Sequence, residues 1–228
     1  MQNPAPGLQP GRRARLFLVD DHQLLLEGLK LALQERYDIV GTTTKGIGVV
    51  ELCRKLRPDV VLVDLSLPDR SGLEVVADLR AALPELKAIV VTMHADRVMA
   101  DASLQSGASG FVPKDAGMAE LERAITRVLA GERFVSDRIP KHLNAHSPRA
   151  DSFPSASQLT PRQRQILRLI GEGKRTADIA EELGLTRGGI SFHRIRIRKL
   201  LGLESEWDLV RFALLIRMSA EEEWRQAT

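Results

Sequence analysis

Five short segments in the first half of the chain are apolar enough to be buried strands, and helical periodicity follows each of them. Residues 16–19 (Leu-Phe-Leu-Val), 60–63 (Val-Val-Leu-Val) and 88–92 are almost uninterrupted apolar runs; 37–40 and 110–112 are weaker ones. Between them, residues 23–34 space Leu25, Leu26, Leu29 and Leu33 at helical intervals, and 49–56, 72–83, 97–105 and 119–129 read as further helices. A strand that is apolar at every position has both sides covered. Strand and helix alternating five times therefore predict a five-stranded parallel α/β doubly wound sheet, with ligands held at the carboxyl ends of the strands.

The second half is different. Residues 136–157 hold three prolines and several serines with little periodicity, which reads as a linker with one short helix near 139–143. From Thr160 onward the chain is all helix. Thr-Pro-Arg-Gln (160–163) is a helix start with a capping box, and Gly173, Gly184 and Gly202 follow successive helices. Two short helices joined by Gly-Leu-Thr (184–186), the second one basic, form a helix-turn-helix pattern inside a separate all-α four-helix domain. The expected division is a tail over 1–13, an α/β domain over 14–133, a linker over 134–157, a helical domain over 158–220 and a tail over 221–228.

Charge separates the halves. Residues 1–157 carry 20 basic and 20 acidic side chains, whereas 158–228 carry 13 basic against 10 acidic. Residues 187–199 hold five basic side chains and no acid. Only the back half is thus suited to a polyanion. No apolar run approaches the ~20 residues of a membrane helix, and the Pro- and Gly-rich start does not read as a signal peptide. One cysteine, Cys53, excludes a disulfide framework and fits a reducing cytosol; it reads as a buried small hydrophobe.

The expected strand ends carry chemistry. The first is followed by Asp20 and Asp21, the third by Asp64, the fourth ends in Thr92 and the fifth is followed by Lys114. Three carboxylates converging on one edge either share protons or hold a cation, because like charges ~4 Å apart repel by about 4 kcal/mol at an effective dielectric near 20. Hard oxygen ligands suit Mg²⁺. A carboxylate beside such a cation can act as a nucleophile toward phosphorus. His22 and His94 lack metal-ligand spacing and read as rim residues. Gly41, Gly46 and Gly48 read as turns.

Val-Asp-Asp-His (19–22), Val-Asp-Leu-Ser-Leu-Pro-Asp (63–69), Val-Thr-Met-His (91–94) and Gly-Ala-Ser-Gly-Phe-Val-Pro-Lys (107–114) together resemble the signature segments of bacterial response-regulator receiver domains. The resemblance implies that Asp64 is the phosphoacceptor and that Asp21, Asp64 and the Ser66 backbone carbonyl ligate Mg²⁺, with Asp20 helping through water. It further implies that Thr92 and Phe111 are a switch pair, that Lys114 binds the phosphoryl group, and that a sensor histidine kinase is the phosphodonor. Such a protein is a cytoplasmic regulator and not an enzyme.

Leu-Thr-Pro-Arg-Gln-Arg (159–164), Ile-Ala-Glu-Glu-Leu-Gly-Leu-Thr (179–186) and His193 resemble the four-helix output domain of LuxR/NarL-type regulators. This resemblance implies that 188–201 is the recognition helix for double-stranded DNA. Phosphorylation is expected to favour either a homodimer or release of the output domain, and RNA polymerase is a further expected partner. On a helical wheel Ile190, Ile197 and Leu201 face the core, while Gly188, Phe192, Ile195 and Lys199 face outward with Ser191 and Arg196 beside them. Lys174, Arg175, Arg187, Arg198 and Lys199 are the expected phosphate contacts, and Phe192 and Ile195 the expected contacts to thymine methyls. Gly188-Gly189 fits either a close backbone approach to phosphate or a frayed helix end. Leu209, Phe212, Ala213 and Ile216 either pack between output domains or close their own core. Three other readings stay open: a phosphorylation-independent regulator, a protein-interaction module with a degenerate recognition helix, and a metal-dependent phosphatase.

Overall fold

The computed structural model describes residues 12–93, 96–139 and 158–226. The chain forms two compact units that divide between residues 141 and 142. His94, the 1–11 part of the expected tail and residues 140–157 of the expected linker lie outside the described residues, as does most of the short helix expected near 139–143.

In the first unit the order is β1 (Arg15–Val19), α1 (Gln23–Leu33), β2 (Asp38–Thr43), α2 (Val49–Leu56), β3 (Val60–Val63), α3 (Gly72–Ala82), β4 (Lys87–Thr92), α4 (Arg97–Ser106), β5 (Gly110–Pro113), α5 (Met118–Leu129) and β6 (Phe134–Val135). The sheet is parallel throughout, in the order β2-β1-β3-β4-β5-β6. Because β1 sits between β2 and β3, the chain reverses direction across the sheet there, which opens a crevice at the strand ends. Leu16, Leu18, Val60, Leu62, Ile89 and Val91 pack with Leu26 and Leu33 of α1 and Leu121, Ile125 and Val128 of α5. The alternate residues Phe17, Val61, Val63, Val90 and Phe111 are also buried, so both faces are covered.

Three features depart from expectation. A sixth strand is present. The Phe134 amide donates to the Ser109 carbonyl and the Ser136 amide to the Phe111 carbonyl, both at 3.0 Å, so the first residues of the expected linker belong to the sheet. β2 ends three residues later than expected, at Thr43. Gly41 therefore lies within a strand and not in a turn; a Cβ there would stand 3.0 Å from side-chain atoms of both Leu56 and Phe17. Gly48 does serve a turn, at φ +86° before α2.

The second unit contains α6 (Pro161–Gly171), α7 (Thr176–Glu182), α8 (Arg187–Leu200) and α9 (Glu206–Gln226). Thr160 and Gln163 close the expected capping box on α6. The core joins Ile166, Leu169 and Ile170 with Ile179, Ile190, Ile197, Leu201 and, from α9, Leu209, Phe212 and Ala213. The last three thus close their own domain's core. Gly171 makes this possible, since a Cβ there would lie 2.5 Å from the Ala213 carbonyl oxygen. α9 extends to Gln226, through most of the expected C-terminal tail. No helix among the described residues is long and apolar enough to cross a membrane.

Candidate functional site

The topology brings Asp20, Asp64, Thr92 and Lys114 to one edge of the sheet, each at the end of a different strand. Asp20, Asp64 and Thr92 are buried. The Lys114 ammonium lies 2.7 Å from Asp20 Oδ2 and 2.8 Å from Asp64 Oδ2. Burial alone would lower the lysine pKa; hydrogen bonds and charge from the two aspartates outweigh it and hold the ammonium above its ordinary range. Asp64 Oδ1 is buried with no hydrogen-bond partner among the described residues. A buried, unpaired carboxylate oxygen is costly unless something is meant to meet it.

Asp21 lies at the mouth with His22, whose Nδ1 is 2.7 Å from Asp21 Oδ1 and 3.4 Å from Asp20 Oδ1. The His22 amide also donates to Asp20 Oδ1 at 2.9 Å. One potential ligand atom from each of Asp20, Asp21, His22 and Asp64 falls within 4.8 Å of the others. Sequence spacing alone did not place His22 in this group. It is largely exposed at the rim, yet its ring faces the carboxylates. The donor set is dominated by hard oxygens, and the single ammonium leaves three carboxylates incompletely neutralised. Both features fit an oxygen-preferring divalent cation such as Mg²⁺.

The segment after Asp64 is tightly held. Ser66 and Ser71 form a bridge, and the Gly72 amide donates to the Leu65 carbonyl at 3.0 Å. A Cβ on Gly72 would fall 2.2 Å from the Asp64 carbonyl oxygen, so the start of α3 can seat against the acceptor only as glycine. The Asp69 carboxylate accepts from the Gly46 and Ile47 amides at 2.8 and 2.9 Å, tying the loop before α2 to the same segment. Phe111 is fully buried beside Thr92's strand, and its carbonyl is the acceptor for β6.

The second candidate surface is α8. Thr186 caps it through the Gly189 amide at 3.0 Å, so the double glycine begins a regular, capped helix. Ile190 and Ile197 are fully buried while Phe192 is 59% and Ile195 49% exposed, as the wheel requires. Gly188, Arg187, Ser191, Arg196 and Lys199 are exposed as well. Arg187, Arg196 and Lys199 make no ion pair among the described residues. The other cations are engaged. Lys174 pairs with Glu182 and Glu172, which raises its pKa, with Glu182 the main cause. Arg175 grips Asp178 through two nitrogens at 2.8 Å and lowers the pKa of that carboxyl. Arg198 lies 3.7 Å from Glu206 and donates to the Glu204 carbonyl. Arg194 is buried, bound to Glu206 at 2.6 Å and to Thr176 Oγ1 at 2.9 Å.

A family model of the response regulator receiver domain matches residues 16–126, and one of bacterial regulatory proteins of the luxR family matches 157–213. The chain is 33% identical over 204 residues to the transcriptional regulatory protein MctR of Rhizobium johnstonii, covering 89% of this chain and 94% of the relative. Among solved structures, a LuxR-family two-component response regulator from Aurantimonas sp. SI85-9A1 is 34% identical, with a TM-score of 0.53 over 55% of this chain and 91% of that one. RcsB from Salmonella enterica serovar Typhimurium, solved on promoter rprA with the phosphomimetic BeF3-, shares the fold at 23% identity, with a TM-score of 0.53 over 90% of this chain and all of that one.

Proposed function

Because this chain belongs to the response regulators that join a receiver domain to a LuxR-type DNA-binding domain, we propose that Asp64 takes the phosphoryl group that governs its binding to DNA. The protein is a two-component regulator of transcription that responds to phosphorylation. The observation that carries the assignment of Asp64 is its buried, unpartnered Oδ1 beside the Lys114 ammonium.

The chemistry follows from that geometry. Asp64 Oδ1 attacks phosphorus on a phosphohistidine of the kinase. The new O–P bond forms as the P–N bond breaks, and the released imidazole takes up a proton from solvent. Lys114 is placed to donate charge-assisted hydrogen bonds to the phosphoryl oxygens in exchange for its present bond to Asp64 Oδ2. The Thr92 hydroxyl donates to another oxygen, and Phe111 follows it into the space vacated. Asp20, Asp21, Asp64 and the Ser66 carbonyl would hold Mg²⁺, which when bound supplies neutralisation of phosphoryl charge.

The switch would reach DNA by population shift: a state that is rare without the phosphoryl group becomes dominant with it. The expected active species is a cytosolic homodimer, with α8 of each copy in the major groove of half-sites about 10 base pairs apart and RNA polymerase as the downstream partner. Gly188, at the helix start, lets α8 approach closely, and Ser191 lines the same face. Arg187 and Lys199 are the ready phosphate contacts; Lys174, Arg175 and Arg198 contribute only by giving up their acidic partners.

Incubation with a small phosphodonor such as acetyl phosphate and Mg²⁺, followed by intact mass measurement, tests the assignment. Wild type gains one phosphoryl group and Asp64→Asn gains none. Phosphoryl uptake by the Asn variant, or equal DNA affinity with and without donor in the wild type, would overturn it.

A further inference from the structure

The exposed face of α8 is apolar where a DNA-reading helix has most use for hydrogen-bonding side chains. Phe192 and Ile195, three residues apart and so on one face, are 59% and 49% exposed. Their helix needs neither for its own packing, which Ile190 and Ile197 supply from the other side. The one ring contact of Phe192 among the described residues is the edge of His193, 6.1 Å away between centroids. Ser191 turns its hydroxyl onto its own helix, donating to the Arg187 carbonyl at 3.1 Å.

Resting on the reading that this domain binds DNA, we propose that Phe192 and Ile195 set the sequence preference by packing against the 5-methyl groups of thymine. In the major groove every other base-edge feature is a donor or an acceptor; the thymine methyl is the apolar one. An apolar side chain held against guanine, cytosine or adenine leaves their polar edges dry and unpaired, which is unfavourable. Against thymine it removes apolar surface from water on both partners. The rim decides between DNA and an apolar protein partner. Arg196 and Lys199 flank the pair on the helical wheel and Arg187 stands at the start of the same helix; all three are exposed and make no ion pair among the described residues. Two available cations beside the apolar pair, with a third at the helix start, complement a polyanion that carries methyl groups. The specificity of this helix is therefore shape and methyl contact, with charge supplying affinity but no sequence information.

The test uses the full chain loaded with beryllofluoride. Preferred duplexes are selected from a random pool, and each thymine in the half-site is then replaced by deoxyuridine, which removes only the methyl. At one or two positions per half-site the wild type should lose about fourfold in affinity per methyl, the worth of one buried carbon. Ile195→Ala and Phe192→Ala should each lose the thymine-over-uracil preference at the position that side chain covers, and the double variant should bind the two duplexes equally, all keeping the wild-type melting temperature since both side chains are exposed. Wild-type protein that ignores the uracil substitution, or selected sites without thymine, would overturn the methyl contact and leave DNA binding intact. Absence of binding to any duplex would overturn the DNA reading itself.

Discussion

Lys114 and Asp64 are joined at 2.8 Å across the end of the sheet, with both side chains almost wholly out of solvent. The same ammonium also holds Asp20 at 2.7 Å, so one cation separates two buried carboxylates. Lys114→Ala would leave both facing each other without a counter-charge. Breaking a buried pair from one side costs ~3–5 kcal/mol. Thermal unfolding of the variant should therefore fall well below wild type. Millimolar Mg²⁺ should restore more of the melting temperature in the variant than in the wild type, because the uncompensated carboxylates bind the cation more tightly and a ligand that binds only the folded state stabilises it by an amount that grows with the logarithm of its affinity. A variant as stable as wild type, or blind to Mg²⁺, would show that the carboxylates do not depend on the ammonium.

Gly72 fixes where Asp64 stands. Its missing Cβ would lie 2.2 Å from the Asp64 carbonyl oxygen and 2.7 Å from the Leu65 Cα, both backbone atoms that cannot swing aside. Gly72→Ala should cost about 1–3 kcal/mol of stability through overpacking. It should also slow phosphoryl uptake from acetyl phosphate more than its stability loss explains, since the acceptor itself is displaced. Denaturant unfolding and the rate of mass gain separate the two effects.

The strands that carry this site were legible because a strand buried on both faces reads as an unbroken apolar run, and residues 60–63 could hardly read otherwise. The carboxylates at their ends followed from topology. β6 was not legible: two residues cannot show a period, and it exists because the Phe111 and Ser109 carbonyls offer a free edge. Gly41 misled because glycine in a sequence signals a turn, whereas here it makes room for Phe17 and Leu56. Arg194 stands in the sequence as one of five cations in a basic run, with nothing to mark it as buried. Its burial depends on Glu206, twelve residues on, and on Thr176, and no local pattern reveals a partner at that distance. His22 reads from the sequence as a rim residue only, for a similar reason: its place beside Asp21 follows from the turn after β1 and not from ligand spacing.

Cys53 gives the chain a pH dependence above neutrality. Burial, with 1% of the residue exposed, pushes its thiol up to about 12 from an ordinary 9.0. The folded state thus holds the proton more tightly than the unfolded state does. The resulting stability is fully present below pH 9 and is lost as pH rises toward 12, at ~1.4 kcal/mol per pH unit. Chemical denaturation at pH 8.5 and 10.5 should show a decline in wild type that is smaller in Cys53→Ala by ~2 kcal/mol. Native protein at pH 8 should also resist iodoacetamide, because the thiolate is the reactive form. Rapid alkylation without unfolding would contradict the burial.

The basic run of α8 contains five cations, but Glu206 holds two of them, Arg194 at 2.6 Å and Arg198 at 3.7 Å. Among the described residues, the cations of this helix that make no ion pair, and so can displace counterions from DNA, are Arg187, Arg196 and Lys199. Each phosphate neutralised contributes ~0.9 to the slope of log affinity against log salt, so this helix should contribute about −3 per bound copy, against roughly −4.5 if all five took part. Arg187→Ala should reduce the slope by about 1 and weaken binding alike on all sequences, whereas Arg198→Ala should leave the slope nearly unchanged. Arg194→Ala should act through stability instead. It removes the charge that neutralises Glu206 and the bond to Thr176 that ties α8 to α7, at a cost of ~3 kcal/mol. Its DNA affinity should therefore fall as the domain melts and recover on cooling. Titrations at several salt concentrations, run well below the melting temperature, distinguish these cases; a slope for Arg198→Ala that drops as far as that of Arg187→Ala would mean that Glu206 releases its second arginine to the phosphates.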